Sequence, residues 1–362
     1  MNWADLRAQF PALANWTYLN TATYGQMPLR AQAAVAHHFA RRDELACRDF
    51  LSWFDDADEI RGLIAQLIHC GADDIAFAGN ACAALSLFLG GIEWREGDRI
   101  VTLADEFPNQ YYYANWLRAR GAELVEMAEI EALPAQTRAV VISTVNYTSG
   151  YRPDVGRIAR LAHAAGALLY VDGTQSIGAL RFDVAEAAPD MLAVDPYKWL
   201  LTPNGATFFY VSPALRRVLP PNVIGWRSDK GWRSVDELSH GVPEFPEGAE
   251  RYEGGMLNFP SLYALAESVR MLLEIGPEVV ERRVLDLAAQ TADVLRRAGA
   301  EIRHEGSQIV AARWPDRDAS ALSRRLAEQR IIVAARHGNL RVSPHFYNDE
   351  RDVAALAAAL AA

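Results

Sequence analysis

Lysine is rare in this sequence, and one of its two copies has an unusual neighbourhood. The 362 residues include 36 cationic side chains, of which only Lys198 and Lys230 are lysine and the other 34 are arginine. Lys198 follows the apolar run MLAVD and lies between Tyr197 and Trp199. Because burial disfavours a charged ammonium, we expect the pKa of Lys198 to fall from about 10.4 toward neutrality. Such an amine can form a Schiff base with a carbonyl compound, which arginine cannot do.

A candidate partner for this amine is Asp172, which ends the apolar run ALLYVD. An isolated carboxylate at the end of a buried strand needs a cation or a protonated ring nitrogen beside it. Taken alone, Asp172 could equally cap the turn that follows it. Taken with Lys198 one strand later, it completes the pair that pyridoxal phosphate needs, a lysine for the aldehyde and an acid for the pyridinium nitrogen.

The elements that position these two residues alternate in type. Between about residues 56 and 215, short apolar runs alternate with Ala/Leu/Arg patterns typical of helices. This pattern predicts an α/β fold whose large domain contains a mostly parallel seven-stranded sheet. Ligands of such sheets bind beyond the carboxyl ends of the strands, where Asp172 and Lys198 lie. The seven runs are DDIAFAGN, DRIVTLADEF, AELVEM, TRAVVISTVNY, ALLYVDG, DMLAVD and ATFFYVS.

The chain beyond this region is organised differently. Residues 220–255 are rich in turn residues and have no periodicity, so we expect Lys230 to be an exposed loop residue. Helix and strand patterns resume after Pro260 and predict a smaller α+β domain. We therefore predict a large cofactor-binding domain over residues 15–255 and a small domain formed by residues 1–14 and 256–362.

Composition and charge exclude several classes of protein. The formal net charge of −10 disfavours binding to the phosphates of nucleic acid. No run approaches 18 uninterrupted apolar residues, and the N-terminus has no continuous hydrophobic region, so we expect neither a membrane partner nor a signal peptide. The three cysteines form no CxxC pair, so we expect no disulfide framework, no metal site and a cytoplasmic location.

Four motifs resemble those of a known family. VDGTQS and PYKWL, with YLNTATYG near the start and RVSPHFYN near the end, resemble the class V aminotransferase family of fold-type I pyridoxal-phosphate enzymes. That family includes cysteine desulfurases, kynureninases and isopenicillin-N-epimerase-like proteins. The resemblance covers nearly the whole chain and implies a homodimer with pyridoxal 5'-phosphate as cofactor. It implies that Lys198 holds the cofactor as a Schiff base, that Asp172 pairs with the ring nitrogen, and that Gln175 hydrogen-bonds the ring hydroxyl.

Further site residues follow from the same resemblance. Phe107 in LADEFPN takes the position of the ring that stacks on the cofactor. Arg341 in LRVSPHFYN takes the position of the arginine that binds the substrate carboxylate, for which a bidentate guanidinium is well suited. Asn146 and Tyr147 in STVNYTSG both fall where the family has a polar residue near the ring hydroxyl, and the sequence does not choose between them. Asn146 is also a candidate for substrate binding, together with Arg341.

The segment expected to bind the cofactor phosphate departs from the family pattern. FAGNACAAL resembles the strand, loop and helix whose amides bind this anion, but Asn80 and Ala81 replace the usual threonines. Asp195 stands where a serine often precedes the lysine, and Met256 stands where a neighbouring subunit often supplies a threonine. Two readings stay open. Either Asp195 points elsewhere while Tyr197 and Asn80 contact the phosphate, or the phosphate is held less tightly than usual.

These observations predict an enzyme that acts on an α-amino acid through a Lys198 Schiff base. Transamination and β-elimination with C–S bond cleavage are the favoured reactions, and epimerisation or kynureninase-like C–C hydrolysis are the alternatives. Desulfurases carry a reactive cysteine in a region that here reads IIVAARHGNLRVSPHF, so persulfide transfer of their type is not expected. An alternative hypothesis, outside the class of enzymes, is a catalytically silent protein that keeps the fold and binds a ligand.

Overall fold

A seven-stranded sheet forms the centre of the computed structural model, which describes residues 2–361. Each of the seven apolar runs contains one of its strands, so the predicted α/β fold is confirmed. Two smaller sheets, of four and two strands, contain the remaining strands. The strands are β1 (Thr17–Tyr18), β2 (Ile75–Ala78), β3 (Arg99–Leu103), β4 (Glu123–Met127), β5 (Thr137–Ser143), β6 (Leu168–Asp172), β7 (Met191–Val194), β8 (Thr207–Val211), β9 (Glu301–Ile302), β10 (Val310–Arg313), β11 (Ile331–Ile332), β12 (Ala334–Arg336) and β13 (Asn339–Val342).

Helices connect these strands, and several begin at a side chain that caps them. Asn80, Asp154 and Asp318 each accept a hydrogen bond from an amide in the first turn of the following helix. No helix within residues 2–361 is both long and apolar enough to span a bilayer. The helices are α1 (Trp3–Ala8), α2 (Leu29–Leu45), α3 (Ser52–Ile68), α4 (Ala81–Gly91), α5 (Pro108–Trp116), α6 (Val155–Ala164), α7 (Val184–Ala187), α8 (Pro213–Arg216), α9 (Phe259–Ile275), α10 (Pro277–Arg297), α11 (Ala319–Glu328) and α12 (Glu350–Ala361).

The strand order of the large sheet brings the candidate residues to one edge. The order is β2, β8, β7, β6, β5, β3, β4. Strands β3 to β7 are parallel, whereas β8 is antiparallel to both β7 and β2. Strand β2 therefore runs in the same direction as β7. The loops that follow β2, β3, β5, β6 and β7 place Asn80, Phe107, Asn146, Asp172 and Lys198 at the same edge.

Both faces of the large sheet are buried, which explains why its strands have continuous apolar runs. In β6, Leu169 and Val171 belong to a core cluster with α3, α6 and α9, while Tyr170 between them belongs to a second cluster with α4 and α5. A third cluster lies between the four-stranded sheet and α10, α11 and α12.

The N-terminal segment pairs with strands from the C-terminal part of the chain. Strand β1 pairs in parallel with β11, and Asn20 forms a bridge with Ser343. Helix α9 packs on α2 and α3 in the core of the large sheet. The division into residues 15–255 and residues 1–14 with 256–362 stays a prediction, and these packing contacts cross it at both ends.

Candidate active site

Lys198 lies in the turn after β7 and is buried beneath the N-terminal segment. The amide of Gly25 donates a hydrogen bond to the carbonyl of Tyr197 at 2.8 Å. A Cβ at position 25 would lie 2.0 Å from the carbonyl oxygen of Lys198, so only glycine fits there. The motif YLNTATYG thus has a physical reason for its last residue. Lys230, by contrast, is exposed and pairs with Glu244, as expected.

The environment of Lys198 favours a neutral amine. Burial lowers the pKa of Lys198 from 10.5 to about 8, Asp172 opposes this change, and Arg341 adds to it. The Nζ atom lies 5.7 Å from the ring centre of Phe107 and 5.5 Å from that of Tyr197. Four predicted residues therefore surround this amine: Asp172, Arg341, Phe107 and Tyr197. The pKa of the amine is lowered, as the sequence predicted.

Asp172 is a buried carboxylate with few partners. Its Oδ1 accepts a hydrogen bond from the amide of Thr174 at 2.9 Å, and within residues 2–361 it forms no salt bridge. Burial raises the pKa of Asp172, while the contacts with Thr174 and the charge of Lys198 lower it. A buried carboxylate without an ion-pair partner fits the protonated ring nitrogen of pyridoxal phosphate.

Gln175 is anchored rather than free. Its Oε1 accepts a hydrogen bond from the indole of Trp199 at 2.9 Å, and its Nε2 donates one to the carbonyl of Ala22 at 3.1 Å. These bonds connect the loop after β6 with the lysine turn and the N-terminal segment. One amide hydrogen of Gln175 has no partner among these contacts, and the predicted bond to a ring hydroxyl is compatible with that geometry.

Phe107 lies at the site as a partly exposed ring, and a buried carboxylate precedes it in the chain. The ring is 38% exposed and meets Tyr147 edge to face at 5.2 Å. The preceding residue, Glu106, is fully buried and accepts hydrogen bonds from the amide of Ser143 at 2.6 Å and from its hydroxyl at 2.5 Å. Burial raises the pKa of Glu106 to about 7. Glu106 is not among the residues predicted from the sequence, although its position three residues after β3 could have indicated it.

Arg341 is buried and lacks an acidic partner. It is 1% exposed, and its guanidinium donates to the carbonyl of Tyr147 at 2.7 Å and to the hydroxyl of Thr23 at 2.5 Å. Its Nε has no hydrogen-bond partner, and no carboxylate within residues 2–361 forms an ion pair with it. Burial and, to a smaller extent, the charge of the nearby Arg336 lower the pKa of Arg341 to about 9. An anionic ligand would relieve both the burial and the repulsion.

Asn146 organises its own loop. Its Oδ1 accepts hydrogen bonds from the amides and hydroxyls of Thr148 and Ser149, and its Nδ2 donates to the carbonyl of Asp105 at 2.8 Å. Substrate binding by Asn146 therefore stays a prediction that these contacts do not support. The neighbouring Tyr147 faces the site, since its carbonyl binds Arg341 and its hydroxyl lies 3.2 Å from His337.

At the start of α4, the structure decides where Asp195 points. The amide of Ala81 donates a hydrogen bond to Oδ1 of Asp195 at 2.9 Å, and Asn80 caps the amide of Ala83 at 2.8 Å. The reading in which Asp195 points elsewhere is therefore wrong, because its carboxylate lies on the helix end that would receive the phosphate. Tyr197 packs its ring on Tyr24 at 5.0 Å, and burial raises the pKa of Tyr197 to about 12.

Comparison with known proteins agrees with this geometry. The family described as Aminotransferase class-V matches residues 51–356. A probable cysteine desulfurase of Methanothermobacter thermautotrophicus is 28% identical over 310 residues, which cover 80% of this chain and 75% of that protein. An uncharacterised aminotransferase of Bacillus subtilis is 29% identical over 362 residues, which cover 96% of this chain and 94% of that protein.

A solved structure shows the same fold over the whole chain. The cystine C–S lyase C-DES, in complex with its reaction product cysteine persulfide, is similar with a TM-score of 0.88 and 22% identity. The match covers 98% of this chain and 99% of that one. The lysine turn, the buried carboxylate and the sheet topology thus accompany a family match over most of the sequence. The chain belongs to the class V aminotransferase family and is a pyridoxal-phosphate-dependent enzyme of the aminotransferase or C–S lyase type.

Proposed function

We propose that the protein acts on an α-amino acid, with Lys198 as the group that moves the Cα proton. One observation carries this proposal. The buried guanidinium of Arg341, which has no acidic partner among the described residues, lies close enough to Lys198 to lower its pKa. An α-amino acid offers both groups what they lack, a carboxylate for Arg341 and a Cα proton for Lys198.

Each side chain has a distinct task in this reaction. When bound, pyridoxal phosphate supplies an electron sink that stabilises negative charge at Cα. Arg341, held by Thr23 and the carbonyl of Tyr147, binds the substrate carboxylate. Lys198 accepts the Cα proton at Nζ, a task that the lowered pKa of its buried amine favours. Asp172 provides the negative charge that keeps a ring nitrogen protonated.

β-Elimination with C–S cleavage fits the site better than transamination. Pyridoxal phosphate held by Lys198 would return to this lysine in every turnover of an elimination, whereas a transamination would leave it held by non-covalent contacts alone between the two half-reactions. Because the amide of Ala81 already donates its hydrogen bond to Asp195, the predicted phosphate site has one hydrogen-bond donor fewer. The relative described as a probable cysteine desulfurase also supports C–S cleavage, while the Bacillus subtilis aminotransferase supports transamination as the second candidate.

Transfer of sulfur to a protein cysteine is not part of this proposal. Strands β12 and β13 are joined by a tight turn at His337 and Gly338, so the segment that would carry such a cysteine is short. The three cysteines of the chain lie elsewhere, near the ends of α2 and α3 and at the start of α4. Sulfur therefore leaves as a small molecule.

The proposal includes a homodimer in the cytoplasm. Large apolar side chains are exposed within and just after the irregular segment 220–255, where a second copy of the chain would cover them. The exposed residues are Val223, Ile224, Trp226, Leu238, Val242 and Met256. All three cysteines are free thiols, which suits a reducing compartment. Light scattering after size exclusion is expected to give twice the mass of the chain, and a monomer would contradict the dimer.

A substrate panel tests the reaction. Purified holoenzyme is incubated with cystine, cysteine, alanine and kynurenine, with and without a 2-oxo acid acceptor. Elimination is expected to release sulfur compounds, ammonia and pyruvate from cystine or cysteine without an acceptor. Product that appears only with an acceptor would indicate transamination. Loss of optical activity without product would indicate epimerisation, and release of anthranilate from kynurenine would indicate C–C hydrolysis.

Two matched variants control this panel. Lys198→Ala is expected to abolish every activity, because it removes the amine that moves the proton. Lys230→Ala removes the only other lysine, which is exposed, and is expected to leave activity unchanged. If the wild-type protein and Lys198→Ala are equally inactive on all substrates, the proposed reaction is wrong and the hypothesis of a catalytically silent ligand-binding protein takes its place.

A further inference from the structure

The first turn of α4 provides few donors for a phosphate. The first amides of a helix have no partner within the helix, which makes a helix start a natural anion site. Here the amide of Ala81 donates to the carboxylate of Asp195 at 2.9 Å, and that of Ala83 donates to the side chain of Asn80 at 2.8 Å. Of the first three amides, only that of Cys82 is left for another ligand.

The carboxylate of Asp195 is fixed at this position by its neighbours. The hydroxyl of Thr207, the first residue of β8, donates to the same Oδ1 atom that binds the amide of Ala81. The backbone amide of Asp195 donates to the hydroxyl of Thr174 at 3.0 Å. Thr207 pairs with the last residue of β2, directly before the α4 loop. Rotation of Asp195 away from the helix end would break two hydrogen bonds.

The carboxylate has the chemistry of the ligand that this helix end would otherwise bind. Both a carboxylate and a phosphate are anions that accept hydrogen bonds from amides and are stabilised by the positive end of a helix. A phosphate that approaches the start of α4 therefore meets the negative charge of Asp195, which already binds one of the helix amides. Two like charges at the same helix end repel each other. Lys198 lies three residues after Asp195 and forms its covalent link independently of these amides.

From these contacts we propose that Asp195 competes with the cofactor phosphate for the start of α4 and thereby weakens non-covalent cofactor binding. The covalent link to Lys198 then becomes the main attachment of the cofactor. The protein gains and loses its cofactor more readily than a chain with a neutral residue at position 195. Occupancy of the site then follows the concentration of free pyridoxal phosphate.

Binding of pyridoxamine phosphate tests this competition, because this vitamer carries the phosphate but cannot link to a lysine. Its dissociation constant is measured by equilibrium dialysis with apoprotein of the wild type and of Asp195→Asn, which keeps the side-chain shape without the charge. Asp195→Asn is expected to bind at least about tenfold more tightly. Pyridoxamine, which lacks the phosphate, is expected to bind both proteins equally.

Controls separate competition from a change in the fold. Asp318→Asn makes the same substitution at the cap of α11, where the side chain binds only the amides of its own helix, and is expected to leave both affinities unchanged. Asp195→Ser is measured in addition, and far-UV circular dichroism checks that each variant is folded. Affinity for pyridoxamine phosphate that is equal or weaker in the folded variants would overturn the proposal, as would an equal gain for pyridoxamine. Neither readout depends on turnover, so failure of the proposed reaction would not affect this result.

Discussion

Burial of Lys198 predicts that this residue destabilises the folded apoprotein at neutral pH. Burial lowers its pKa from 10.5 to about 8, so folding disfavours the ammonium form. The difference between these values corresponds to about 3 kcal/mol. Below pH 8 the folded state carries this full cost. The cost decreases as the pH rises from 8 to 10.5 and is absent above that range, because the lysine is then neutral in both states.

The substitution Lys198→Met removes the charge and keeps an apolar side chain of similar length. The free energy of unfolding of this apoprotein is expected to exceed that of the wild type by up to about 3 kcal/mol at pH 7. The difference should shrink steadily toward pH 10.5. Urea unfolding at pH 7, 8, 9 and 10 measures it, and titrating groups that do not interact with Lys198 cancel because both proteins contain them. Cofactor must be removed first, since a ligand that binds the folded state adds its own stability.

Lys230 provides the matched control, since it is the other lysine of the chain. It is exposed, and its pair with Glu244 raises its pKa instead of lowering it. Lys230→Met is therefore expected to give no stabilisation at neutral pH. The reasoning is refuted if Lys198→Met is no more stable than the wild type at pH 7. A gain in stability that is the same at every pH would also refute it, because the gain would then come from packing.

Three further predictions concern neighbouring residues. Arg341→Gln is expected to lower kcat/KM for amino acids by about tenfold to a hundredfold, mainly through KM, because it removes a charged hydrogen-bond partner of the substrate carboxylate. Steady-state kinetics measure this change, and an unchanged KM would contradict it. Gly25→Ala is expected to lower stability by about 1–3 kcal/mol in thermal unfolding, since its Cβ would lie 2.0 Å from the carbonyl of Lys198. Gly255→Ala, where a Cβ meets no atom within 4 Å, is its control. Asp172→Asn is expected to lower the pKa of Lys198 below about 8, because the charge of Asp172 raises this pKa. The pH dependence of reductive methylation of Lys198, followed by peptide mass spectrometry, measures the pKa. An unchanged pH dependence would show that the two groups do not interact.

The large sheet could be predicted from the sequence because its strands, except the edge strand β4, are buried on both faces. Burial on two faces produces short continuous apolar runs, and the seven predicted runs each contain one strand. Lys198 and Asp172 could be found for a related reason. Each directly follows or ends such a run, so local sequence alone places it at the carboxyl edge of the sheet.

Other features depend on contacts that spacing does not reveal. The direction of Asp195 is set by Thr207 and by the amide of Ala81, which lies 114 residues away in the chain. The position of the Glu106 carboxylate depends on Ser143 at the end of a different strand. The sequence predicts which residues reach the edge, but the partners of their side chains come from the tertiary structure.

The N-terminal segment has a consequence for synthesis of the protein. The amide of Leu19 donates to the carbonyl of Ile332 at 2.9 Å, the amide of Ser343 donates to the carbonyl of Leu19 at 2.8 Å, and Gly25 closes over the lysine turn. The two contacts of Leu19 join residues more than 300 positions apart, and contacts of such long sequence separation form slowly. A nascent chain on the ribosome therefore cannot complete the pocket around the lysine until almost all of its residues have emerged.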